Sequence, residues 1–237
     1  MQNPLFSAAS TFVFSLVLMI TMYWCFSTAQ TPAWSLGEEP TFSGVIENWS
    51  IADGLSSGEG NMVVRNMPFF GESYSNESQE IGFGNIKQDG SFNLSLTKDA
   101  AGSFTTPDWY ANCPTITPSN PSLKVATVTA IEVPELYEEK AHARPQGAVL
   151  ISSVPITANN IASRVTYMFI YADSEGTFKG TCIKNTEDYS FNIVFDLDLH
   201  KGWNSLRFES LDASYSFTTA AIPTEAKWYM VNALTLE

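Results

Sequence analysis

Tyr189-Ser190-Phe191-Asn192-Ile193-Val194-Phe195-Asp196-Leu197-Asp198-Leu199-His200 alternates from end to end. Its odd positions, from Tyr189 to Leu199, are all apolar, and its even positions, Val194 apart, are all polar. Successive side chains of a strand point to opposite faces, so the pattern predicts a strand over 189–200 with one buried face and one wet face. A two-residue Lys201-Gly202 loop then predicts a hairpin with a strand over 203–210. That register pairs Leu199 with Asn204, Leu197 with Leu206 and Phe195 with Phe208, so both apolar sets meet. On the solvent face it sets Asp196 opposite Arg207 and His200 opposite Trp203.

The same grammar extends outward in both directions. Strands are expected at 42–49, 61–66, 80–87, 91–97, 123–133, 146–154, 164–172, 177–184, 213–219 and 227–236, separated by Gly-, Ser- and Asn-rich connections. No apolar stripe of period 3.6 is sustained anywhere after the first thirty residues. The fold class is therefore all-β, an antiparallel β-sandwich, built as one sandwich or as two packed β units. Residues 42–97 make a small β unit, 98–121 a linker or ordered crossover rich in Thr, Pro, Ser and Asn, and 122–237 a β-sandwich domain. Residues 30–41 read as a flexible lead-in.

Two more hairpins are legible. At Ile86-Lys87-Gln88-Asp89-Gly90-Ser91-Phe92, a three-residue Gln88-Asp89-Gly90 loop sets Ile86 opposite Phe92 and keeps Phe92, Leu94 and Leu96 on one face, with Gly90 in the left-handed conformation. The run Val165-Thr166-Tyr167-Met168-Phe169-Ile170-Tyr171 is apolar on nearly both faces, which predicts a central strand. A four-residue Asp173-Ser174-Glu175-Gly176 loop would pair Ala172 with Thr177, Tyr171 with Phe178, Phe169 with Gly180 and Tyr167 with Cys182, turning Cys182 inward.

The N-terminus carries an address. An uncharged apolar run from Thr11 to Phe26 precedes Ser27-Thr28-Ala29-Gln30, small residues of the kind that signal peptidase cuts after. Residues 1–29 are expected to be a cleaved signal peptide, the alternative being an N-terminal anchor over 11–26, although that run is shorter than the roughly 20 residues a spanning helix needs. Met22-Tyr23-Trp24 before Cys25 are too bulky for a lipobox. The expected location is secreted or periplasmic, in the cell envelope.

Residues 1–29 hold no charge, so the mature chain keeps the whole net charge of -13. That balance argues against nucleic acid, whose phosphates are held by Lys and Arg, and against anionic lipid surfaces. Cleavage leaves Cys113 and Cys182. An even pair in an oxidising compartment reads as one structural disulfide. Two cysteines with the scattered His142 and His200 have no metal-ligand spacing, so no cofactor is expected.

The nearest approach to a site is the wet face of the 189–210 hairpin. Asp196 and Asp198 sit at i and i+2 like the paired carboxylates of cation sites or glycosidases, and His200 beside Trp203 could form a ligand platform. The plainer readings are an Asp196–Arg207 ion pair, solvated carboxylates and an aromatic closing a hairpin end. Trp34, Trp49, Trp109, Trp203 and Trp228 could include a sugar-stacking row, or could be core. Asn48-Trp49-Ser50, Asn76-Glu77-Ser78 and Asn93-Leu94-Ser95 are glycosylation sequons. No nucleophile elbow or catalytic motif accompanies these residues.

Gly44-Val45-Ile46-Glu47-Asn48-Trp49, followed by Gly84-Asn85-Ile86 and Asp89-Gly90-Ser91-Phe92, resembles the opening of carboxypeptidase-regulatory, transthyretin-like β-sandwich modules. The Asp196 to Asn204 stretch is similar to uncharacterised exported bacterial β-sandwich proteins with a Leu-x-x-Gly-Trp-Asn hairpin. The resemblance implies fold and location and no catalytic residue. The expectation is a non-enzymatic exported protein with a structural or protein-interaction role, its partner an unknown protein or envelope component. The alternatives are a glycan- or calcium-binding module using Asp196, Asp198, His200 and Trp203, and a carboxylate-dependent hydrolase.

Overall fold

The structure, a computed structural model, describes residues 31–49, 60–66, 80–98, 113, 115–133, 148–156, 164–185, 190–211 and 213–231. Residues 1–30, with the expected signal peptide or anchor, lie outside them, as do Asn76, Trp109 and His142. The chain from Ala33 to Glu237 forms one compact unit. The described residues are almost entirely β, as the alternation requires. In chain order the strands are β1 (Ser35–Gly37), β2 (Thr41–Val45), β3 (Gly60–Asn66), β4 (Glu80–Ile86), β5 (Ser91–Leu96), β6 (Thr117–Pro118) and β7 (Val125–Glu132). They continue with β8 (Ala148–Ser152), β9 (Val165–Ala172), β10 (Gly176–Asn185), β11 (Ser190–Leu199), β12 (Gly202–Leu211), β13 (Ser214–Thr219) and β14 (Lys227–Val231). Among the described residues no helix is long and apolar enough to cross a membrane.

One hydrogen-bonded path joins β2-β5-β4-β3-β7-β8-β9-β12-β13-β11-β10-β6, with β1 added to β12 and β14 to β8. The path doubles back on itself as a sandwich. Phe42 of β2 and Phe169 of β9 are far apart along it, yet their rings stack with centroids 4.7 Å apart. Strand β7 makes the turn from one layer to the other: Val125–Thr127 pair with β9 and Ala130–Glu132 with β3. The strands of 42–97 and of 122–237 thus share one core, in which Met62, Leu94 and Leu96 pack with Ile151, Phe169 and Trp203.

The β4–β5 hairpin has the predicted register, with Ile86 opposite Phe92 and with Phe92, Leu94 and Leu96 buried on one face. Gly90 has φ +78°, and a Cβ there would lie 2.8 Å from Trp49 Cβ, so both the turn and its neighbour require glycine. After Val45 the chain leaves β5 and joins β14 in parallel, Ile46 bridging Trp228 and Glu47 N donating to Trp228 O at 2.9 Å. Hydrogen bonds therefore run in a circuit through β2, β5, β4, β3, β7, β8 and β14.

Strand β9 is central, as its two-sided apolarity predicts. Tyr167, Phe169 and Tyr171 enter the core between the layers. Ile170 and Ala172 enter a second core with Phe178, Cys182, Ile193, Phe195, Leu197, Leu199, Leu206 and Phe217, under Cys113, Ile116 and Leu123. Side chains of both parities are buried, so both faces of the sheet at β9 are covered.

Two predicted hairpins do not form. β9 pairs with β7 and β12 where β10 was expected, so Ala172 meets Val125 and Gly202 rather than Thr177. The segment 173–176 instead carries the chain from β9 to β10, which lies beyond β12, β13 and β11 on the path, and it is clamped by 119–124: Lys124 N donates to Asp173 Oδ1 at 3.0 Å and Thr177 N to Ser119 Oγ at 2.8 Å. β11 and β12 are likewise separated by β13, which runs parallel to β11 and antiparallel to β12. The expected rows survive with one strand inserted. Phe195 and Phe208 both face Phe217, and Asp196 and Arg207 both face Thr218.

Part of the lead-in over 30–41 is strand. Ser35 and Gly37 pair with β12, and Ser205 N donates to Trp34 O at 2.8 Å. Strand β6 arises within 98–121 and pairs with Phe178 and Lys179. Pro118 cannot donate to a ladder and is tolerated because β6 ends the path. Both strands are too short to leave a periodic signal.

Candidate functional site

Of the four residues expected to form a site, the structure keeps Asp196 and Asp198 on one exposed face and encloses Trp203 in the core. β11 keeps strict alternation, so Asp196 and Asp198 are exposed on one face, as predicted. Asp196 is paired with Lys179 of β10, Nζ to Oδ1 2.7 Å, and not with Arg207, which binds Glu209 on its own strand at 2.8 Å. Insertion of β13 is the reason: it places a strand's width between the expected partners. The Lys179 ammonium is held above its usual range, first by the hydrogen bond to Asp196 and then by its charge, with a smaller contribution from Asp198. Lys179 and Asp196 are more than half exposed, so water screens the pair and it adds little to the stability of the fold.

Asp198 is held by its backbone. Its N donates to Thr219 Oγ1 at 3.1 Å, and its O accepts from Trp34 Nε1 at 3.0 Å. His200 is half-buried, with Nδ1 3.5 Å from Glu175 Oε1. Its backbone is locked by Asn204, whose Oδ1 accepts from His200 N and whose Nδ2 donates to His200 O. Trp203 turns to the opposite face. It is 0% exposed, its Nε1 donates to Thr97 O at 3.3 Å, and Tyr171 meets it edge-on at 5.3 Å. The expected His200–Trp203 platform is therefore absent: a ligand cannot stack on a ring enclosed in the core. Among the described residues no three His, Cys, Asp or Glu side chains group as metal ligands.

Of the other tryptophans, Trp228 packs against Phe92 at 4.7 Å and Trp49 packs on the same core. The Asn48 amide binds the Met230 backbone through both its oxygen and its nitrogen, which leaves this sequon's nitrogen engaged in the fold. Cys113 and Cys182 form the expected disulfide, with Cα atoms 5.0 Å apart.

A different face was missed by the sequence reading. On the outer side of the first layer, the ladders align Ser43, Asn93, Asn85 and Asn61 across β2, β5, β4 and β3. All four are exposed. The neighbouring row is Thr41, Ser95, Phe83 and Val63, with the Phe83 side chain 52% exposed in mid-sheet. The signal is present in the sequence, because the predicted Ile86–Phe92 register sets Asn85 opposite Asn93 on the exposed parity.

No protein-family model, curated protein or solved structure matches the chain.

Proposed function

We propose that this chain is an exported, non-enzymatic protein of the cell envelope or extracellular space with a structural or protein-interaction role. The observation that carries the reading is the Cys113–Cys182 disulfide, which fastens the segment ahead of β6 onto β10 in a chain whose residues 11–26 are an uncharged apolar run. Such bonds persist where the compartment is oxidising. A protein that acts through its surface suits the exposed apolar side chains Ile183, Val194 and Leu211, which share the outer face of β10, β11 and β12. Export also accords with the acidic surface, since a net charge of -13 keeps a protein soluble and apart from polyanions.

The test is expression of the full chain in a secreting host, followed by N-terminal sequencing and thiol alkylation without reductant. A soluble exported product beginning at Gln30, with Cys113 and Cys182 both resistant to alkylation, supports the proposal. Retention in the cytoplasm with Met1 in place and both thiols reactive overturns it.

A further inference from the structure

We propose that the outer face of β3, β4 and β5 is a binding site for a neutral polysaccharide. This goes beyond the reading of an exported structural protein and does not depend on it, because the face is assigned from its own chemistry. Phe83 lies on β4, flanked on both sides by hydrogen-bonded strands, so its half-exposed ring stands in the middle of a sheet and not at a fraying edge. Val63 is its direct cross-strand neighbour on one side and Ser95 on the other. One row along, Asn61, Asn85 and Asn93 stand side by side on the same three strands.

Each part of this arrangement matches a part of a sugar. The apolar C–H face of a pyranose ring packs on an aromatic ring, which presents a flat, polarisable surface. The carboxamides of Asn85 and Asn93 each carry two N–H donors and an acceptor oxygen, and so answer a hydroxyl in either of its roles. Neighbouring strands are about 4.8 Å apart, so the amide row repeats at nearly the interval of one sugar residue along a chain and extends over about 14 Å from Ser43 to Asn61. The side chains stand on paired strands, which limits the ordering lost when a ligand binds.

Charge selects the ligand class. In a chain of net charge -13, these two adjacent rows hold no formal charge; Arg65 and Glu80, further along β3 and β4, pair with each other at 3.1 Å, and Lys87 stands at the hairpin end of the amide row. A cation or a polyanion would find no counter-charge in the rows. A neutral polyhydroxylated chain finds hydrogen bonds without having to displace an ion.

The experiment uses the purified, disulfide-bonded chain in pull-down and affinity electrophoresis with cellulose, chitin and xylan, and with anionic polygalacturonate as the charge control. Retention on at least one neutral polymer and none on polygalacturonate is expected. Phe83→Ala and Asn85→Ala should each weaken that retention at least ten-fold with an unchanged melting temperature, Phe83→Tyr should restore it, and Ile183→Ala, on another face, should leave it unchanged. Failure to bind any neutral polymer overturns the proposal, and so does binding that is indifferent to Phe83→Ala. If Phe83→Ala instead abolishes self-association in sedimentation, the face is a contact between copies of the chain and the proposal also falls. None of these outcomes bears on export.

Discussion

The side-chain amide of Asn48 grips the backbone of Met230 through both its heavy atoms, Nδ2 donating to Met230 O and Met230 N donating to Oδ1, each at 2.7 Å. The two residues are 182 positions apart. Where the parallel bridge between Ile46 and Trp228 ends, Asn48 continues the ladder with its side chain in place of a backbone amide.

Asn48→Ala should therefore remove two hydrogen bonds and cost about 2 kcal/mol. For a chain of this size the melting temperature should fall by about 4–8 °C. Asn48→Asp should be no better, because it replaces the donor to Met230 O with an oxygen. Thermal denaturation of both variants checks this, and an Asp variant as stable as the parent would refute the clamp.

Trp203 distinguishes core from platform. With the indole enclosed and its Nε1 bonded to Thr97 O, Trp203→Ala should destabilise by about 3–5 kcal/mol in urea unfolding. A surface aromatic would cost a small fraction of that.

The disulfide closes a loop with a sequence separation of 69, which corresponds in the chain-entropy account to about 4 kcal/mol. Cys113→Ala combined with Cys182→Ala should lower stability by that order and loosen the cover that Cys113, Ile116 and Leu123 form over the second core. Equilibrium unfolding measures the first effect, and hydrogen exchange at Ile116 N, which donates to Cys113 O, measures the second.

Gly202 has φ +98°, and a Cβ there would approach Gly37 O to 2.6 Å. Gly202→Ala should cost about 1–3 kcal/mol in backbone strain and displace β1. The specific readout is faster exchange of Ser205 N, whose acceptor is Trp34 O.

The Asp89 carboxyl lies below its ordinary 3.8, chiefly because of its hydrogen bonds with the side chain and backbone of Ser91. A carboxyl depressed in the folded state supports folding above its unfolded value and loses that support as pH falls through its folded value. NMR titration should place Asp89 below 3.8 in the folded protein, and Ser91→Ala, which removes the side-chain hydrogen bond, should move it back toward 3.8 while leaving stability nearly unchanged, because the turn is exposed.

Much of this protein was legible in one dimension. Parity alone assigns Phe195, Leu197 and Leu199 to the interior and Asp196 and Asp198 to water, because side chains alternate on any strand whatever its neighbour. The Gln88-Asp89-Gly90 turn sets its own register, because a short loop leaves the flanking strands one alignment that buries Phe92, Leu94 and Leu96 together.

Partner choice was not legible, and the candidate site depended on it. Phe195 and Phe208 have the parity and offset to face each other, yet Phe217 stands between them, with its ring centroid 5.4 Å from the first and 4.9 Å from the second. β13 supplies an apolar residue of the right parity from a later part of the chain, and β1 covers the rest of that edge of β12. The strand pattern, the buried parity and the local turn were thus determined by the sequence alone, because each depends on neighbours a few residues apart. Which strand lies beside which, and with it the enclosure of Trp203 and the alignment of Asn61, Asn85 and Asn93, was decided only by the tertiary structure. A strand edge offers the same hydrogen bonds to every partner, so only the packing of the whole core chooses among them.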